Sequence, residues 1–201
     1  MKINVELYDS NWPIQFDQLK NEIEHLLSAY NPRIEHFGST SVPGLSAKPV
    51  IDILVGIDDI SLFPQIVNQL LLHQSYIHYK AFDIEVPDRR LFVRLQDGRD
   101  SSLIGNIQDD FATIPHEIIN QARMAHIHIW KFGSDNWIRH IAFRDYLRAH
   151  EKERKKYGEL KLGLSNQDWA HGMEYNDGKS AYIKEVEAKA ITWYMEKRIS
   201  T

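Results

Sequence analysis

The stretch from His36 to Ile57, HFGSTSVPGLSAKPVIDILVGI, does most to limit what this chain can fold into. Its second half, Val50-Ile51-Asp52-Ile53-Leu54-Val55, is rich in β-branched residues and reads as a strand carrying one carboxylate. Just before it, Ile34 to Phe37 reads as another strand, and the small, turn-forming residues from Gly38 to Pro49 read as the loop between them. A strand, a small-residue loop and a strand therefore sit at the centre of the fold.

Helical periodicity lies on both sides. From Trp12 to Tyr30, Phe16, Leu19, Ile23, Leu26 and Leu27 repeat at helical spacing behind Pro13, and Leu62 to His73 repeats the pattern. Further strands are expected at Tyr76 to Tyr79, Leu91 to Leu95 and His126 to Trp130, with a short helix from Pro115 to Ala122 after a polar connection. From Ser134 onward, with Ser134 or Asp135 as a cap, the chain becomes helical to its end. The expected fold is α+β: a mixed sheet flanked by helices, in a single domain with a core of about residues 1–132 and a C-terminal helical part of about 133–201 closing one side of a cleft.

Composition narrows the function. With 24 Lys and Arg against 28 Asp and Glu, the chain lacks the basic surplus that tracks phosphate backbones, so bulk nucleic-acid binding is not expected. The absence of cysteine removes thiolate zinc sites, disulfides and cysteine nucleophiles, and fits a reducing cytoplasm. No apolar run is long enough for a membrane-spanning helix, and the N-terminus lacks the apolar core of a signal peptide. The signatures GxxxxGK[ST], GxGxxG, GxSxG and HExxH are absent, which sets aside P-loop, Rossmann, hydrolase and zincin readings.

Taken alone, Gly38-Ser39-Thr40 reads as a turn or helix cap and Asp52 as a strand-end carboxylate satisfied by backbone amides. The stretch HFGSTSVPGLSAKPVIDILVGI, however, resembles the nucleotidyltransferase superfamily, whose members carry Gly-Ser at the start of a short helix and acidic residues on the next strand. The resemblance narrows to the GrpB family, small bacterial proteins with a nucleotidyltransferase-like fold, through four ordered segments. These are VELYDSNWPIQF, HFGSTSVPGLSAKPVIDILV, His126-Ile127-His128, and GSDNWIRHIAFRDYLRAHEKERKKYGELK.

That resemblance implies a nucleotidyltransferase-like core followed by helices, and the activity expected of such a core is transfer of a nucleoside monophosphate from an NTP to an unknown acceptor. Gly38, Ser39, Thr40 and Ser41 would hold phosphates, because glycine lets backbone approach closely and amides and hydroxyls donate. Asp52 would hold a divalent metal, Mg²⁺ or Mn²⁺, that bridges triphosphate oxygens. One expected acid is missing: Val50 stands where the superfamily pattern places the first of two alternating carboxylates. Glu85, read in a strand-like FDIEVP, or His126 and His128, which share a face by alternation, are candidates to complete the site; the histidines would admit Zn²⁺.

Lys48, Arg94 and Arg144 are candidate phosphate contacts, with one of Arg90 and Arg94 expected to face the same cleft as Asp52. Lys161 and Lys179 are further cleft candidates on the resemblance alone. Asp145 is expected to be structural and to point away from Arg144 and Arg148, and Trp137, Trp169 and Trp193 are expected to pack. The alternatives are a non-catalytic nucleotide- or anion-binding module, and a re-equipped His/Asp metal site with other chemistry.

Overall fold

The computed structural model describes residues 2–169 and 172–199. Its elements run α1 (Asn11–Leu26), β1 (Arg33–Phe37), β2 (Ile51–Ile57), α2 (Phe63–Leu71), β3 (Tyr76–His78), α3 (Phe82–Glu85), β4 (Arg89–Leu95), α4 (His116–Ala122), β5 (Arg123–Lys131), α5 (Asp135–Ala149), α6 (Glu151–Ser165) and α7 (Gly172–Ile199). The chain is thus α+β, with five strands and seven helices among the described residues.

The strands form one mixed sheet in the order β1-β2-β5-β4-β3. β2 pairs in parallel with β5, opposing Asp52 to His126 and Leu54 to His128. β4 runs antiparallel to β5, opposing Val93 to His126 and Leu91 to His128. Side chains alternate across a strand, so Asp52, His126, His128, Val93 and Leu91 share one face.

Two compact units emerge, and neither is a simple half of the chain. The sheet unit comprises residues 14–36 and 50–137; the helical unit comprises 1–13, 37–49 and 138–201. The loop after β1 therefore belongs with the C-terminal helices rather than with the strand that follows it.

In the sheet unit α1 and α2 cover the face opposite Asp52. The spacing of Phe63, Ile66 and Leu70 puts all three on one side of α2, where each is fully buried. Asp59 Oδ1 accepts a hydrogen bond from the Ser61 amide, 2.9 Å, and fixes the entry to that helix. On the Asp52 face, Ile77, Val93 and Leu95 pack with Ile114 and with Ile119 of α4. The connection between β4 and α4 is irregular, as its composition suggests, and is held by bonds such as Ser101 N to Gln74 O, 2.9 Å, and Gln108 Nε2 to Ile104 O, 2.8 Å.

The helical unit closes on Val42, Leu45, Leu147, Tyr157 and Val186, with Phe143, Tyr146 and Tyr182 against them. Ser134 Oγ accepts from the Trp137 amide at 3.3 Å and caps α5. Trp137 itself packs edge-on against Phe132, at 5.2 Å between ring centroids. Among the described residues no helix is long and apolar enough to cross a membrane.

Candidate functional site

In the helical unit the small-residue loop is fastened from several sides. Gly38 takes φ 68°, a setting a side chain would resist, and opens a single 3-10 turn, Ser39–Ser41. Ser41 Oγ donates back to the Gly38 carbonyl at 2.6 Å, while Arg148 donates to the Ser41 carbonyl through Nε, 3.0 Å, and Nη2, 2.8 Å. Further along, Lys161 Nζ donates to the Ser46 carbonyl and lies 4.6 Å over the Tyr157 ring. Val42 and Leu45 anchor the loop in the core.

This geometry revises the loop's expected role. Thr40 and Ser41 are buried and Ser41 spends its hydroxyl within the loop, so Gly38 and Ser39 are the members that keep exposed surface. Lys161, expected to line a cleft, is buried and holds the backbone instead. Lys179 lies 4.5 Å over the Tyr175 ring, and Lys48 is half-buried just before β2.

Arg144 is buried with its Nε 2.7 Å from Asp145 Oδ1, and Arg148 Nη1 lies 3.5 Å from the same oxygen. The expectation that Asp145 points away from both arginines is therefore corrected. Flexible guanidinium arms reach a carboxylate that helical spacing alone places elsewhere. The role of Arg148 in clamping the loop had no signature, because its partner is a backbone carbonyl 107 residues away.

In the sheet unit the chemistry gathers on the face carrying Asp52. His126 Nδ1 stands 3.2 Å from Asp52 Oδ1, and about a quarter of each side chain is exposed. Burial pushes the Asp52 carboxyl up. The hydrogen bond from His126 and the charges of His126, His128 and His36 pull it down further, so it lies below its ordinary value. On the other side of the ring, Arg123 Nη1 lies 3.3 Å from His126 Nε2. A guanidinium can only donate, so in the neutral ring Nε2 accepts and Nδ1 carries a proton towards Asp52, and in the charged ring Nδ1–H still faces Asp52. His128 follows on the same face, its ring centroid 6.4 Å from that of His126.

Two expected members are elsewhere. Glu85 ends the short helix α3, not a strand, and is exposed, because FDIE closes into one turn before Pro87 rather than extending. Arg94 and Arg90 both lie on the opposite face, since they pair with Ala125 and Ile129 while Val93 pairs with His126. There Arg94 meets Glu22 of α1 through Nε to Oε1, 3.2 Å, and Nη2 to Oε2, 2.9 Å, and also Asp97 at 2.8 Å. Arg90 lies 3.3 Å from Asp83 and 5.1 Å over Phe63. Alternation gives both arginines one face, and α1 and α2 occupy it.

Whether a resident metal suits these residues can be judged from their donors. Val50 is a buried apolar side chain where a second carboxylate was expected, and both ring nitrogens of His126 are already engaged. Among the described residues no three His, Asp or Glu side chains are gathered to hold an ion. A permanently bound metal does not fit this arrangement.

The mixed sheet thus carries on one face a carboxylate held below its ordinary value and two histidines. The chain belongs to the GrpB family, whose model, described as GrpB protein, matches residues 2–189. The "Glutamate-rich protein GrpB" of Alkalihalophilus pseudofirmus is 26% identical over 89% of this chain and 90% of that protein. The crystal structure of conserved protein GrpB from Enterococcus faecalis is similar with a TM-score of 0.73 and 27% identity, over 96% of this chain and 99% of that one. A weaker likeness, with a TM-score of 0.48 and 9% identity, covers 80% of this chain and 42% of Cid1 in complex with the UTP analog UMPNPP.

Proposed function

We propose that the protein is a nucleotidyltransferase-like enzyme that takes an NTP and transfers its nucleoside monophosphate to a nucleophile on an acceptor, the new bond to the α-phosphorus replacing the bond to the departing pyrophosphate. The observation that carries this reading is Asp52. It lies on the strand after the Gly38–Ser41 loop, as the superfamily pattern requires, and His126 and its neighbours keep it ionised despite burial. A divalent cation, Mg²⁺ or Mn²⁺, is expected to arrive with the triphosphate rather than to reside in the protein. Such a cation neutralises charge on phosphate oxygens. In the helical unit, Gly38 and Ser39 keep exposed surface and Lys48 carries positive charge, which the family resemblance assigns to phosphate.

A second reading is favoured by Val50: a module that binds nucleotide or anion without turning it over, because the second carboxylate is absent. Thermal-shift titration separates the two. An NTP with Mg²⁺ or Mn²⁺ is expected to raise the melting temperature, with the rise lost in Asp52→Asn, and labelled NMP is expected on an acceptor supplied from a metabolite pool. Stabilisation without turnover would favour the module, and no shift with any NTP and cation would overturn both.

A further inference from the structure

The one irregularity in the β4–β5 ladder lies beside this site. Arg94 pairs with Ala125, but the next residue, Leu95, pairs with Arg123, so Met124 is skipped and the register shifts between Arg94 and Leu95. A bulge of this kind turns the residue beyond it to the other side of the sheet. Strict alternation from Ala125 would aim Arg123 at the face covered by α1 and α2. The bulge instead pairs it with Leu95 on the face of Val93 and His126, where its Nη1 reaches the His126 ring at 3.3 Å.

Several arginines of the chain are paired with carboxylates. Arg33, Arg90, Arg94, Arg139, Arg144 and Arg148 all lie within 4 Å of a carboxylate. Arg123 is half-buried and meets no carboxylate at that range among the described residues, and its buried Nε has no acceptor. Burial opposes the Arg123 charge and the Asp52 carboxylate supports it from beyond ion-pair distance, so the guanidinium keeps N–H groups that an anion can take. Two further polar groups lie near Arg123. The buried Tyr79 phenol and the His116 ring stand near enough to feel its charge, with 6.4 Å between their centroids. Burial pushes the Tyr79 phenol up to about 12, so it stays a protonated donor at neutral pH.

We propose that Arg123, brought onto the Asp52 face by the bulge at Met124, is an anion-binding residue that takes a phosphate-type oxyanion beside the Asp52–His126 pair. This deepens the nucleotide reading by naming the group that would receive the phosphate chain in the sheet unit. Nη2, which meets no protein acceptor among the described residues, supplies the first contact. Nη2 carries two N–H groups, so it can meet the oxyanion while Nη1 stays on His126 Nε2, and the ligand's charge acts on His126 through that guanidinium, which links ligand binding to the hydrogen bonding of His126. The fork geometry of arginine suits two phosphate oxygens, which a lysine cannot match.

The test uses the full chain, freed of metal with a chelator, and inorganic pyrophosphate as the probe in calorimetry. Arg123→Gln is expected to weaken pyrophosphate binding at least tenfold and Arg123→Lys to restore it only in part. Asp52→Asn is expected to leave metal-free binding intact or tighter, although it abolishes the cation-dependent NTP response, so the two readings fail separately. In the unaltered protein, pyrophosphate is expected to shift the ¹⁵N resonances of Arg123 Nε and His126 Nε2 together. Absence of binding at millimolar pyrophosphate, equal affinity in Arg123→Gln, or unmoved Arg123 and His126 resonances at saturation would each overturn the proposal.

Discussion

Single side chains in this protein are committed by partners that no local pattern names. Glu22 illustrates it: burial raises its carboxyl, but hydrogen bonds from Arg94 and from Tyr76, 2.6 Å, lower it further, leaving it below the ordinary value. A carboxyl depressed in the folded state adds stability above its unfolded value and loses it as pH falls through the folded one. Glu22→Gln is therefore expected to cost about 1–3 kcal/mol at pH 7 and to cost progressively less below about pH 4.3, read by urea unfolding across pH. At the loop, Arg148→Leu removes both donors to the Ser41 carbonyl. A loss of about 1–3 kcal/mol is expected, with faster amide exchange at residues 38–42 and little change in β2. Uniform acceleration across the chain would refute a local clamp.

Elements show where packing tolerance ends. Gly56 on β2 has no room for a methyl group: a Cβ there would lie 2.7 Å from Trp137 and 2.9 Å from Phe132. Gly56→Ala should destabilise the protein by about 1–3 kcal/mol, because two aromatic rings would have to move together. A neutral melting temperature would show that the rings shift freely. Most elements were legible in advance, since strong apolar period sets α2 and the β-branched runs set β2 and β5. Glu85 was misplaced because FDIEVP alternates like a strand over too few residues to separate a single helical turn from an extended segment. The bulge at Met124 had no sequence signal, as it depends on how β4 and β5 pair.

Over the whole molecule the proposed ligand response is a matter of mass action. A ligand that binds only the folded state at 100 times its dissociation constant adds about 2.7 kcal/mol. For a chain of this size that corresponds to a rise of about 5–11 °C in melting temperature. NTP with Mg²⁺ is expected to approach that rise in the unaltered protein, and Val50→Asp to increase it if a second carboxylate improves cation binding. Destabilisation of Val50→Asp without any gain in NTP response would show that position 50 serves the core alone, where it is buried.

By itself the sequence determined the α+β class, the order of strands and helices apart from α3, the loop before β2, and the shared face of His126 and His128, because these follow from local propensity and period. Its four ordered segments also pointed to the GrpB family, which the family match over residues 2–189 establishes. Tertiary structure alone decided that Arg94 and Arg90 face α1 and α2, that Arg148 and Lys161 hold loop carbonyls, and that Arg123 joins His126 and Asp52. Those outcomes turn on strand register, a skipped residue and contacts between distant residues, none of which leaves a periodic trace along the chain.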